Sequence, residues 1–213
     1  MYIPAHFQAT PEQQSALLAA PGLVDLVSPG PNGLVATPLP MLYQPAEDGL
    51  GSLLGHVARN NPHWHCAGEP DSLAIVRGPD AYISPSWYPS KAEHGRVVPT
   101  WNYLTLHVYG RLVIHQSTDW LRDLVTRLTS VHEAAVGSSW QPSDAPAAYL
   151  DGQLRAIVGI ELQISRIEAK AKLSQNRPAA DQVSVVEALT DLPSGSPDVA
   201  TLMRTGPLAL PSD

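Results

Sequence analysis

The sequence predicts a mainly β fold with flanking helices (α+β), arranged as a closed or half-closed barrel. Three observations point there. Residues 104–109 and 111–115 alternate apolar and polar side chains with period two, as half-buried strands do. Gly- and Pro-rich turns separate such runs at short spacing. Only residues 121–131 carry a long apolar stripe at helical spacing.

Thr10-Pro11-Glu12-Gln13 opens a first helix, with Thr10 as N-cap, Pro11 at the first helical position and Gln13 completing a capping box. It runs to about Ala20 and stops at Pro21-Gly22. Residues 23–27, the turn-rich stretch 28–33 and residues 34–43 predict a hairpin. Pro38 and Pro40, two apart, face one edge of the second strand, so that strand is expected to be an edge or bulged there. Glycines 49, 51 and 55 lead into a short helix over 56–60, closed by Asn61-Pro62. Residues 73–77 and 81–84 flank Gly78-Pro79-Asp80 as a second hairpin, and Gly110 turns 104–109 into 111–115.

Ser117-Thr118-Asp119 caps an amphipathic helix with Leu121, Leu124, Val125, Leu128 and Val131 on one face. Residues 147–156 read as a helix, 157–171 as a strand and 181–189 as a short helix. The expected organisation is one barrel domain over 1–192, then a linker-like extension over 193–213 whose last eight residues fray.

The chain has 213 residues, 44% of them hydrophobic, enough for one sizeable core. Charged residues are 15%, well below the roughly 25% usual for soluble domains, which suggests that part of the surface is covered by another subunit. The net charge of −7 argues against a generic polyanion binder, and no helix-turn-helix or basic stripe supports direct DNA binding. Cys66 is the only cysteine, so no intramolecular disulfide forms, which fits a reducing cytoplasm. No signal peptide and no spanning apolar run is evident, and the expected location is cytoplasmic, away from membranes.

The densest chemistry lies in Ser84-Pro85-Ser86-Trp87-Tyr88-Pro89-Ser90-Lys91 and Val98-Pro99-Thr100-Trp101-Asn102-Tyr103. Rings with polar edges, held by prolines, suit a planar heterocycle or a protein partner equally. Asn102, an amide between two aromatics, wants a specific hydrogen-bond partner, because burying it unpaired costs about 1–3 kcal/mol. His63 and His65 in His63-Trp64-His65-Cys66 would share a face of a strand. They fall short of the roughly four ligands of a zinc site, and no metal site is assigned. A haem-handling role, suggested by the eight histidines, is a weaker reading. No acid–base pair or nucleophile names a reaction, so the catalytic residues stay unassigned.

Four blocks together resemble the PaiB-type FMN-binding negative transcriptional regulators. They are Met1-Tyr2-Ile3-Pro4 with Phe7; Gly55-His56-Val57-Ala58-Arg59-Asn60-Asn61-Pro62-His63-Trp64; the aromatic stretch just quoted; and Lys170-Ala171-Lys172-Leu173-Ser174-Gln175-Asn176-Arg177. The resemblance implies a split β-barrel of the pyridoxamine-phosphate-oxidase type, a homodimer with flavin sites at the subunit interface, and FMN as the ligand. It places the phosphate side at His56, Val57, Ala58, Arg59 and Asn60, with Thr37 and Leu39 lining the same pocket. His56 and Arg59 would supply positive charge beside helix-start N–H groups. Trp87, Tyr88, Trp101, Asn102 and Tyr103 are implied on the ring side. Lys172, Ser174, Gln175 and Asn176 would reach the flavin of the partner subunit. The chain departs from the family's usual Gly and aromatic at Ala169 and Ala171. The function implied is that of a flavoprotein with scope for redox chemistry, against the alternative of a regulator acting through DNA or a protein partner.

Overall fold

The computed structural model describes residues 1–205 apart from Pro21 and Ser194. Six strands among these residues close a barrel in the order β1-β2-β3-β6-β5-β4: β1 (Gly22–Gly30), β2 (Gly33–Gln44), β3 (Ser52–Ala58), β4 (Gly68–Ile83), β5 (Thr100–His115) and β6 (Ile157–Lys172). The helices are α1 (Pro11–Ala19), α2 (Ser90–His94), α3 (Thr118–Ala135), α4 (Ala147–Arg155), α5 (Ala179–Asp191) and α6 (Pro197–Thr205). Among the described residues no helix is long and apolar enough to cross a membrane.

The chain divides into two compact units. One holds residues 18–76 and 107–168. Its hairpin β1–β2 pairs from Gly22↔Met41 to Gly30↔Gly33, and β3 pairs with β6 from Ser52↔Gln163 to Ala58↔Ile157. Leu121, Leu124 and Leu128 of α3 are buried, and the last two pack with Leu54, Leu42 and Trp120. Val131, the end of the predicted stripe, is partly exposed at 37%. Trp120 stacks on His115, with centroids 4.1 Å apart. His115 in turn bonds Glu161 at 2.7 Å, and Ser52 Oγ donates to the other oxygen of Glu161 at 2.8 Å. Despite burial, these two bonds and the His115 charge hold the Glu161 carboxyl below its ordinary range.

The other unit holds residues 1–17, 77–106 and, among the described residues, 169–205. The capping box at α1 forms as predicted: Thr10 N donates to Gln13 Oε1 at 3.0 Å and Gln13 N donates to Thr10 Oγ1 at 3.2 Å. Pro21, the expected helix stop, lies outside the described residues. Asp181 on α5 accepts from both N and Oγ of Ser90, tying α2 down. Within the stretch expected to be linker-like, α6 is a helix that buries Val199, Ala200 and Met203. Its apolar positions 199, 200 and 203 fall on one face, which the surrounding Pro and Ser masked in the sequence. The fraying expected over 206–213 falls outside the described residues.

The predicted helix over 56–60 and the predicted turns at Gly78 and Gly110 are corrected. Residues 56–60 are not a helix: His56, Val57 and Ala58 belong to β3, and a turn follows. Full-length pairing with β6 overrides the local signal. Gly78 and Gly110 are not turns either, because β4 and β5 run straight through them. Both are close-approach glycines. A Cβ on Gly78 would sit 3.0 Å from Leu104 O, and one on Gly110 would sit 2.1 Å from Gln163 O. Residues 62–66 form a 3-10 turn, in which His63 is buried and His65 exposed, so the shared face that a strand would give the two histidines does not arise.

Candidate functional site

The ladder between β2 and β3 is short. It joins Leu42↔Leu54, Tyr43↔Leu53 and Gln44↔Ser52 and goes no further. Continued, that register would set Pro40 opposite His56 and Pro38 opposite Ala58. Proline has no N–H to give a ladder, and both prolines already lie on the β1 ladder, opposite Leu23 and Asp25. The edge that turns from β1 towards β3 therefore lacks donors where it would need them. The seam opens into a groove of about 360 Å³, lined by Thr37, Pro38, Leu39, Pro40, His56, Val57, Ala58, Asn61 and Ile157. The edge character predicted from the proline pair thus takes the form of a local split. Gly55 sets how closely the strands meet at the mouth, since a Cβ there would lie 2.9 Å from both Leu39 Cδ1 and Pro40 O.

Five sequence-predicted residues line this groove: Thr37, Leu39, His56, Val57 and Ala58. His56 Nδ1 is buried and has no hydrogen-bond partner among the described residues. Burial pushes the His56 imidazolium pKa down, so the ring is neutral near pH 7. Arg59 does not line the groove. Its Nε donates to Arg155 O at 2.9 Å, Nη2 to Ile157 O at 3.1 Å and Nη1 to Gln116 at 3.1 Å. The guanidinium thus satisfies the carbonyls of Arg155 and Ile157, where α4 passes into β6. Asn60 sits in the turn after β3, outside the groove lining. With the helix gone, no helix-start N–H groups exist there.

Two residues were not predicted as site residues. Asn61 lines the groove, and its Nδ2 donates to Thr37 Oγ1 at 3.3 Å while its Oδ1 accepts from His63 N at 2.9 Å. His63 is fully buried (0% exposed) and bonds Thr37 Oγ1 through Nδ1 and Ser28 Oγ through Nε2, each at 2.8 Å. The Asn-Pro pair at 61–62 carried the signal, being a 3-10 start with an Asx cap.

The remaining predicted residues belong to the other unit. Asn102 finds its specific partner in Ser174: Asn102 Nδ2 donates to Ser174 Oγ at 3.0 Å, and Ser174 Oγ donates to Asn102 Oδ1 at 3.1 Å. The pair is buried and holds Ser174 at φ 66°, a left-handed conformation uncommon for serine. Asn102 is thereby occupied internally. Gln175 braces its own loop, accepting from Leu173 N at 2.7 Å and donating to Ala171 O at 2.6 Å. Lys172 Nζ bonds Thr100 and the Trp101 carbonyl. Burial first, then the Lys170 and Arg177 charges, push its pKa down. Asn176 is exposed. Ala169 and Ala171 are buried.

Trp101 is 53% exposed and meets Tyr82 edge-on at 6.0 Å, while Lys170 lies 5.5 Å above the Tyr103 ring. Trp87 and Tyr88 line a separate shallow pocket of about 450 Å³ with Lys91 and Ser184. Tyr88 is buried beneath the Arg177 guanidinium, 4.7 Å from its ring, and burial outweighs that charge to raise the phenol pKa.

Burial, complete at His63 and partial at His56 and His107, is the first cause pushing all three below their ordinary 6.5. Unfolding lets them take protons, so stability falls as pH drops from 6.5 towards their folded values. The urea midpoint is expected to be lower at pH 5.0 than at pH 7.5, in a window where Glu161, depressed below 4.5, stays ionised. A flat midpoint between the two would refute the assignment of neutral buried rings.

Residues 1–166 match the family described as "Putative FMN-binding domain". The chain is 31% identical over 191 residues to the Bacillus subtilis "Protease synthase and sporulation protein PAI 2", covering 89% of each. It is 29% identical over 153 residues to an uncharacterized protein of Saccharomyces cerevisiae, covering 62% of this chain and 90% of that one. Among solved structures it is similar to the flavocytochrome Anf3 of Azotobacter vinelandii, with TM-score 0.53, 13% identity, and 76% of this chain and 67% of that one covered. An FAD and heme binding protein of Mycobacterium smegmatis gives TM-score 0.52, 16% identity, and 76% and 71% covered. At such identities the last two speak for the fold alone.

Proposed function

We propose, for a chain that belongs to the FMN-binding domain family of PaiB type, that the β2–β3 groove holds the phosphate end of FMN and that a second copy completes the site. The observation carrying this reading is the open seam itself: a proline-split ladder with a buried, unpartnered His56 Nδ1 beside the Thr37 hydroxyl and the Asn61 amide. A buried polar atom without a partner costs about 1–3 kcal/mol, and a phosphate oxygen is a natural partner for such a set of donors. The residues present fit the group through neutral donors, because Arg59 is committed elsewhere. When bound, FMN supplies hydride and single-electron chemistry. The chain's own residues bind and orient it.

The second copy is argued from the exposed rings of the other unit. Tyr2, Tyr82, Val98 and Trp101 present large apolar area to solvent, and Lys170 and Lys172 lie close to that surface. Such a combination of flat apolar faces and cations suits both a subunit interface and an isoalloxazine ring.

The test is direct. Full-length protein should quench FMN fluorescence on titration and shift its visible spectrum, and light scattering should give a dimer mass. A spectrum unperturbed at protein excess would remove the flavin reading, and a monomer mass with FMN bound would remove the shared site.

A further inference from the structure

Behind the groove runs a chain of buried hydroxyls and one imidazole. Ser72 Oγ lies 2.7 Å from Ser28 Oγ, Ser28 Oγ 2.8 Å from His63 Nε2, and His63 Nδ1 2.8 Å from Thr37 Oγ1. Ser28, His63 and Ser72 are at most 1% exposed. Thr37 alone reaches the groove. Heavy-atom distances permit two directions of donation, and the count of hydrogens decides between them.

If Nε2 carried the proton, it would donate to Ser28, Ser28 would donate to Ser72, and the Ser72 hydrogen would need a further acceptor. Among the described residues Ser72 Oγ meets only Ser28 Oγ. That direction buries an unsatisfied hydroxyl hydrogen. The opposite direction leaves none inside. Ser72 donates to Ser28, Ser28 to Nε2, and Nδ1–H to Thr37 Oγ1. Asn61 Nδ2 donates to the same oxygen, its amide fixed because Oδ1 already accepts from His63 N. Thr37 Oγ1 then accepts twice, and its own hydrogen has nowhere to go but the groove.

We propose that His63 is a positioning residue: its Nδ1–H tautomer, set by Ser28 and Ser72, makes the Thr37 hydroxyl an obligate donor aimed at an anionic, phosphate-type group. The proposal rests on the groove reading above and adds what fixes its polarity. Burial, which keeps the imidazole neutral near pH 7, supports it, since only a neutral ring can donate at one nitrogen and accept at the other. The consequence is selectivity. A ligand atom that can only accept is favoured next to Thr37, and one that must donate is refused.

The experiment uses full-length protein with 15N-labelled histidine. Long-range 1H–15N correlation reads the protonated nitrogen of His63, the one fully buried histidine of the eight. Nδ1 is expected to be protonated and Nε2 not, in the free protein and with FMN or inorganic phosphate added. In parallel, FMN is titrated against Thr37→Val and Thr37→Ser. Loss of one hydrogen bond to a charged oxygen weakens binding about 10- to 100-fold, so Thr37→Val should fall in that range and Thr37→Ser should stay near the parent. An Nε2–H tautomer overturns the relay whatever the titration gives. Undiminished FMN affinity in Thr37→Val instead overturns the groove reading, and with it the role of the relay towards the ligand.

Discussion

Gly110→Ala is expected to be the most damaging single-methyl change in the barrel. An ideal Cβ at Gly110 falls 2.1 Å from Gln163 O and 2.8 Å from its carbonyl carbon, so the obstacle is backbone. A flexible side chain could move aside, but a paired strand cannot do so without breaking its ladder. Overpacking against a rigid neighbour costs typically 1–3 kcal/mol and occasionally more. With backbone of Gln163 and Ile164 as the obstacle, about 3 kcal/mol or greater is expected, which lowers Tm by about 6–12 °C for a chain of this size. Gly152→Ala is the control. In α4 its Cβ would meet nothing closer than Arg155 Nη2 at 3.9 Å. Helix propensity then favours alanine by roughly 0.5–1 kcal/mol. Thermal melts of the two variants should therefore move in opposite directions. Equal melts would mean that β5 and β6 are not held as closely as Gly110 requires.

Gly110 also shows where the sequence misleads. Gly78 and Gly110, followed in one case by Pro79-Asp80, have the composition of turns, yet both sit inside sixteen-residue strands. A glycine that bends the chain and one that admits a neighbouring backbone look alike until the neighbour is known. The helix predicted over 56–60 fails for a related reason: the pairing of β3 with β6 is made across about a hundred residues of sequence. Where signals are local, sequence and structure agree. The capping box at Thr10 and Gln13, the β1–β2 hairpin and the buried face of α3 all depend on near neighbours.

The site divides the same way. Thr37, Leu39, His56, Val57 and Ala58, which the family resemblance implies, come together around one groove, while the spacing of the two prolines marks only the strand edge beside it. The commitment of Arg59 to the carbonyls of Arg155 and Ile157 could not be read, because its partners lie nearly a hundred residues away. In the sequence His63 stands out as part of a metal or haem ligand set with His65 and Cys66. Its actual partners, Ser28 and Thr37, are brought to it by the first hairpin.

Replacing both prolines, Pro38→Val with Pro40→Val, should abolish the groove without weakening the fold. Valine restores an N–H at each position on the edge facing β3 and favours extended backbone. The ladder can then continue past Leu42↔Leu54 to set residue 40 against His56 and residue 38 against Ala58. Two added hydrogen bonds contribute about 1 kcal/mol each, and the loss of two prolines costs about 0.4–1 kcal/mol each through the unfolded chain. These terms nearly cancel, so unfolding free energy should change by less than about 1 kcal/mol, within about 4 °C in Tm. Ligand binding has no such compensation. Zipping the seam buries His56 and Thr37 away from any phosphate, and FMN affinity should fall by about 10- to 100-fold, the scale of one or two lost charge-assisted contacts. A fluorescence titration paired with a thermal melt reads both quantities on the same sample. Retained FMN binding at unchanged Tm would overturn the link between the proline pair and the site: either the seam stays open without the prolines, or the flavin phosphate is held elsewhere on the barrel.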